Sequence, residues 1–481
     1  MAYPSKVTEI DQRLTDLATQ YSAICTRIES DQTTWEDRPM GFLQIGTGTG
    51  GGRPRILIVA GVHARELAPP DALLTFVSKL LDAYQNKKPI VYEKFVDTRP
   101  VDHNTLYKRF TIPFSPDVQD IIEKTELYVL PMANPDGRVY VETPPPNGFL
   151  MWRKNRRPAP GPLSCGMLPD LDPRGGLVRN DGAGVDLNRN FDVGWDFKNF
   201  YSDSFLTTAR TAANVGLGVS DDPCDWSLFH GPPASSAQVS RTREPETQNI
   251  VDIIIEKKIN FYMDVHSAAG QILFPWVVAV NQETDPGNSF QNTDLDQPTG
   301  PGRDPLASPA PYQEWVPPGV TAQHQALGDL MRDKIMDSTG YTADDAASSN
   351  PLVAKIATEA RKNSRYCAIQ SLFSDAPPDA QCRLPSSPTL DFETGGSDDF
   401  AFSRQIGKNP GSPITAKALD PVFAFTFECG RRTDGGFQPK AKTEYPKIER
   451  EVGMGLATFL SFAAGLRAPV PAPPPGPSPT P

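Results

Sequence analysis

The sequence predicts an α/β fold with a largely parallel sheet, and three observations carry that expectation. Four short apolar runs are rich in β-branched and aromatic residues, the composition of strands buried on both faces. Stretches with helical spacing alternate with them along the chain. Three of the four runs end on, or lead directly into, an ionisable side chain.

Helical spacing is expected over residues 6–28, 66–83, 244–257, 320–337 and 445–464. The four inner strands are Arg55–Gly61 (RILIVAG), Leu127–Ala133 (LYVLPMA), Asn260–Ser267 (NFYMDVHS) and Val422–Cys429 (VFAFTFEC). A further apolar run, Gly41–Ile45, precedes the Gly-rich stretch Gly46–Gly52 (GTGTGGG). A phosphate-cradling loop must open directly into a helix, whereas this stretch leads into another strand, so a hairpin turn is expected.

The chain has 481 residues and 50 prolines, roughly twice the usual ~5%. The prolines cluster at about 144–173, at 275–318 and after Arg467. Residues 1–466 show no internal repeat or composition shift that would divide them, so one domain is expected there. It is interrupted by Pro-rich insertions at about 144–173 and 275–390. Residues 467–481 have almost nothing apolar to bury and are expected to be a disordered, polyproline-rich tail.

Lys and Arg number 47 against 58 Asp and Glu, a net charge of −11. No basic run exists that would follow a phosphate backbone, which argues against a nucleic-acid partner. No segment is long and apolar enough to span a bilayer, and a monomer is expected. The N-terminus, MAYPSKVTEIDQRLTDL, has no apolar signal-peptide core, and by that criterion the protein is cytoplasmic. Six cysteines are few for this length, so disulfides are not expected to dominate stability.

The chemistry concentrates at the strand ends. His63 and Glu66 follow the first inner strand at the turn into a helix, the edge where α/β sheets collect ligands. Residues three apart on a helical turn share a face, so an imidazole and a carboxylate there can bind one ion. His266 closes NFYMDVHS and Glu428 closes VFAFTFEC. Burying such groups without partners is costly, which suggests a shared site. Two His and one Glu with an open fourth position is the usual ligand set of a catalytic Zn2+.

These residues sit in a longer series that resembles the zinc metallocarboxypeptidases of the carboxypeptidase A and B type. The series runs His63-Ala-Arg-Glu66, Asn134-Pro-Asp-Gly137, Trp152-Arg-Lys154, Gly184-Val-Asp-Leu-Asn-Arg-Asn-Phe191, His230-Gly231, His266-Ser267, Gly395-Gly-Ser-Asp-Asp399 and Phe425-Thr-Phe-Glu428. The resemblance implies a single α/β/α domain with a mixed, mostly parallel sheet. It implies one Zn2+ held by His63, Glu66 and His266, and a metalloprotease acting as an exopeptidase on peptide or protein C-termini. Glu428 resembles the general base, and Arg153 the arginine that stabilises the oxyanion. Asn188 and Arg189 resemble the pair that grips the terminal carboxylate. Arg65 is expected along the substrate channel. Asp398, adjacent to Asp399, resembles the residue at the base of the pocket for the terminal side chain, implying a preference for Lys or Arg.

The pattern departs from the family in one place. The family sets a mobile tyrosine four residues before the Gly-Gly pair, and here Asp391 stands there. Cys165 and Cys224 fall where relatives carry a disulfide, a hint of secretion, and Cys367 with Cys382 can close a second loop. Two other readings stay open: a zinc peptidase or amidase acting on cell-wall or side-chain-linked amino acids, and a non-catalytic peptide-binding pseudo-enzyme.

Overall fold

The computed structural model describes residues 3–48, 52–92, 110–112, 116–159, 161–211, 215–232, 243–337, 366–370 and 390–465, with scattered positions between 346 and 361. At its centre is a mixed sheet of eight strands. These are β1 (Cys25–Glu29), β2 (Gly41–Ile45), β3 (Arg55–Ala60), β4 (Glu126–Leu130), β5 (Phe261–Ser267), β6 (Ala269–Phe274), β7 (Cys367–Gln370) and β8 (Phe423–Arg431). Their spatial order is β1-β2-β4-β3-β5-β8-β6-β7. The inner strands β4, β3, β5 and β8 run parallel. Antiparallel pairing joins β1 to β2, β2 to β4, and β8 to β6.

The inner strands are apolar throughout because both their faces are covered. On β3, Ile56, Ile58 and Ala60 enter the core on one face, and Leu57 and Val59 enter a second core on the other. The first face is covered by α1 (Val7–Gln20), α2 (Ala68–Asn86), α5 (Val320–Asp337) and α7 (Tyr445–Ala463); α3 (Pro135–Glu142) leaves the end of β4. The second face packs against α4 (Pro245–Glu256), α6 (Ser397–Ser403) and the long connections around them. Among the described residues, no helix is long and apolar enough to cross a membrane.

Three expectations are corrected. The first helix stops at Gln20, and the end of its predicted span is β1, antiparallel to β2. Thr26 and Ile28 favour a pleated surface, and edge pairing outweighs the helical spacing that continues by coincidence. Gly46–Gly52 does not close a hairpin, since β4 lies between β2 and β3 and pairs with both. The apolar β4 gains burial on both faces by taking that inner position. Finally, the span 275–390 is not only an insertion: α5 packs on the sheet and β7 is its edge strand.

The expected Cys165–Cys224 disulfide is present. Cys367 is disulfide-bonded as well, and its expected partner Cys382 lies outside the described residues. The tail at 467–481 also lies outside them.

Candidate active site

The site forms where β3, β5 and β8 end. Gly61 leaves β3 with φ +72°, and a Cβ there would press on Pro131 O and Met132 Sδ, both at 3.2 Å. The backbone turn this allows directs His63 and Glu66 over the sheet edge. Asn134 fixes the turn from beside it: its side-chain amide donates to Val62 O at 3.0 Å and Lys154 O at 3.1 Å, while Oδ1 caps α3 through Gly137 N at 2.9 Å. Asn134 therefore ties the loop bearing His63 to the segment bearing Arg153.

His63 Nδ1 lies 2.7 Å from Glu66 Oε1, and His266 Nδ1 lies 3.1 Å from Glu66 Oε2 and 3.0 Å from His63 Nδ1. One donor atom from each of the three residues lies within 4.8 Å of the others, and all three residues are buried. A tetrahedral ion with bonds of about 2.0–2.1 Å holds its ligand atoms roughly 3.3 Å apart, so this donor set fits zinc.

Each imidazole is backed by a second carboxylate. His63 Nε2 is 3.3 Å from Asp186 Oδ1, and His266 Nε2 is 3.0 Å from Asp264 Oδ2. Such partners fix ring orientation and raise ligand basicity. Burial opposes a charge on His266, but Asp264 and Glu66 outweigh it and make the ring strongly basic. Burial and Arg153 act the other way on His63 and lower it. Burial disfavours the Glu66 and Asp186 anions, yet the surrounding cationic groups hold both carboxyls well below their ordinary range.

Asp186 and Asp264 received no role from the sequence. For Asp264 a signal was available, since it stands two residues before His266 on the same face of a buried strand. Asp186 lies inside the Gly184–Phe191 motif beside Asn188 and Arg189, and nothing local sets its carboxylate apart.

Glu428 is the register partner of His266 across the parallel β5–β8 pair, so the two side chains stand next to each other. It is half-buried, and burial together with the Glu66 carboxylate pushes it up to about 7. Arg153 donates through Nε to Asp186 Oδ2 at 2.8 Å. Arg65 lies over the Phe437 ring at 4.4 Å, and burial and Arg153 push it down to about 10.

Asn188 and Arg189 occupy a short turn, Leu187–Arg189, started by Asp186, whose Oδ1 accepts from Asn188 N at 3.1 Å. Asn188 Oδ1 in turn accepts from Ser397 N at 2.9 Å, joining this turn to the start of α6. Ser397 Oγ donates to Asp264 Oδ2 at 2.6 Å, which links the same helix to His266. Asp398 and Asp399 both lie in the first turn of α6, 5% and 0% exposed. Burial and Asp264 raise Asp398, and burial and Asp398 raise Asp399 well above its ordinary value. The nine predicted residues thus gather around the ends of three neighbouring strands.

A mixed sheet of this order, with two imidazoles and a carboxylate gathered at one edge, defines an α/β protein with a candidate metal centre. Residues 10–100 and 106–452 match the family model described as Zinc carboxypeptidase, and the chain belongs to that family. It is 27% identical to Carboxypeptidase A4 of Mus musculus over 278 residues, 57% of this chain and 47% of the relative. With Carboxypeptidase B of Astacus astacus it shares 26% identity over 270 residues, 56% of this chain and 62% of the relative. The matched segment therefore spans about half of these relatives' length. Among solved structures, bovine thrombin-activatable fibrinolysis inhibitor in complex with tick carboxypeptidase inhibitor resembles it with a TM-score of 0.54 at 17% identity, covering 97% of this chain and 100% of that one. The carboxypeptidase A of Helicoverpa armigera gives 0.53 at 19% identity, covering 97% and 74%. At such identities the structural likeness concerns the fold.

Proposed function

We propose that this chain is a zinc-dependent carboxypeptidase that hydrolyses the terminal peptide bond of peptides and proteins, with a preference for Lys or Arg at the C-terminus. The observation that carries the reading is the convergence of His63, Glu66 and His266 within 4.8 Å, with Glu428 in register beside His266. His63, Glu66 and His266 would hold the zinc, which would supply Lewis acidity at the scissile bond.

Glu428, raised to about 7, suits a group that accepts a proton near neutrality and returns it to the departing amine. Arg153, oriented by Asp186, donates to the scissile carbonyl oxygen as it gains charge. Asn188 and Arg189 hold the terminal carboxylate, which confines cleavage to chain ends. Asp398 gives the pocket a negative base that a Lys or Arg side chain can meet. Arg65, whose guanidinium carbon lies 4.4 Å from the centre of the Phe437 ring, is assigned to contacts with preceding substrate residues.

The test pairs metal analysis with kinetics on matched peptides ending in Lys, Arg, Phe and Leu. Glu428→Gln is expected to keep one zinc per chain and to lose turnover by about 10²–10⁴. His63→Ala is expected to lose both. Full activity in Glu428→Gln would end the mechanistic reading, and equal rates on all four peptides would end the proposed preference.

A further inference from the structure

Arg189 already holds a carboxylate of its own chain. Its Nη2 pairs with Glu393 Oε1. The rest of the guanidinium is committed as well: Nε donates to Gly218 O at 2.5 Å and Nη1 to Asn188 O at 2.7 Å. We propose that Glu393 is a built-in competitor at the carboxylate clamp, so that a substrate's terminal carboxylate must displace it from Arg189 before it can bind. This deepens the function proposed above and rests on the reading of Arg189 as the clamp.

Geometry favours a movable side chain on a fixed backbone. Phe191 N donates to Gly395 O at 3.0 Å, Gly395 N donates to Val193 O at 2.9 Å, and the Tyr201 hydroxyl reaches Glu393 O at 3.5 Å. The backbone after Glu393 is thus stitched to the segment carrying Arg189. The side chains differ: that of Arg189 is 3% exposed and that of Glu393 is 25% exposed. Glu393 is thus the more solvent-accessible member of the pair, the one that an incoming carboxylate would displace. Its charge is felt by both Arg153 and Glu428, which places it near the candidate site.

A carboxylate whose backbone is held to its partner's segment by two hydrogen bonds competes at high effective concentration. The apparent affinity of any incoming carboxylate is reduced by the fraction of time that Glu393 leaves Arg189 open. A second carboxylate at the same guanidinium would meet the charge of Glu393, which disfavours joint occupancy. Ligands that depend on their carboxylate alone are penalised most by this arrangement. Those that gain further binding through the terminal side chain overcome it.

The experiment uses full-length, zinc-loaded protein carrying Glu428→Gln, so that peptides bind without being cleaved. Two fluorescent tetrapeptides ending in Lys are compared by anisotropy, one with a free C-terminal carboxylate and one amidated. Adding Glu393→Gln is expected to tighten the carboxylate peptide about five- to tenfold and to leave the amide unchanged. Glu393→Asp, which keeps the charge but shortens the arm, is read in the same assay. An unraised carboxylate-to-amide ratio in both variants overturns the proposal, including the case where both peptides weaken together because Glu393 is merely structural. Arg189→Gln is then added to the Glu393→Gln chain. Loss of the gained ratio upholds the clamp; its persistence shows that the reading of Arg189 fails, separately from the role of Glu393.

Discussion

Asp186 joins the candidate metal ligand His63 to Arg153 through one carboxylate. Fully buried, it contacts His63 Nε2 at 3.3 Å through Oδ1 and accepts from Arg153 Nε at 2.8 Å through Oδ2. Asp186→Asn keeps the shape and removes the charge that makes His63 a good ligand. Zinc affinity is expected to fall about 10–100-fold, measured by competition with a chromophoric chelator, whereas unchanged affinity would show that Asp186 serves Arg153 alone. The sequence made His63, Glu66, His266 and Glu428 legible because ionisable groups at the ends of apolar runs demand partners. It did not single out Asp186 or Glu393, since each is defined by a residue it meets across the fold. Arg189 and Glu393 are 204 positions apart in the chain, and no local pattern announces their pairing.

At the scale of elements, strand composition was the dependable signal. β3, β5 and β8 were anticipated because burial on both faces leaves continuous apolar runs. β1, β6 and β7 were not: β1 is a partly exposed edge strand of mixed composition, while β6 and β7 are buried but short and stand in Pro-rich surroundings that mask their pattern. Strand order was hidden too: nothing local in GTGTGGG tells that a distant strand enters between its neighbours. The exit from β3 shows how one element end sets the site. Gly61→Ala must adopt φ +72° and push against Pro131 O, so a destabilisation of about 1–3 kcal/mol is expected from urea unfolding. A loss below about 0.5 kcal/mol would show that the turn relaxes freely.

Across the whole molecule the site draws on two kinds of support. His266 and Glu428 stand on adjacent strands held by a continuous hydrogen-bonded ladder. Asp186, Asn188 and Arg189 belong to a long connection whose ends are joined by Cys165 and Cys224, 59 residues apart. Replacing both cysteines by serine is expected to cost about 2–4 kcal/mol, read as a lower urea midpoint at unchanged slope. An unchanged midpoint would show that the connection is held by its packing alone.

That division of support gives the two halves of the candidate site different vulnerabilities. Reduction of the Cys165–Cys224 bond would loosen the connection that carries Asp186, Asn188 and Arg189, whereas it has no purchase on the ladder of backbone amides beneath His266 and Glu428. The redox state of the surroundings would thus be felt on the loop side of the site before the strand side.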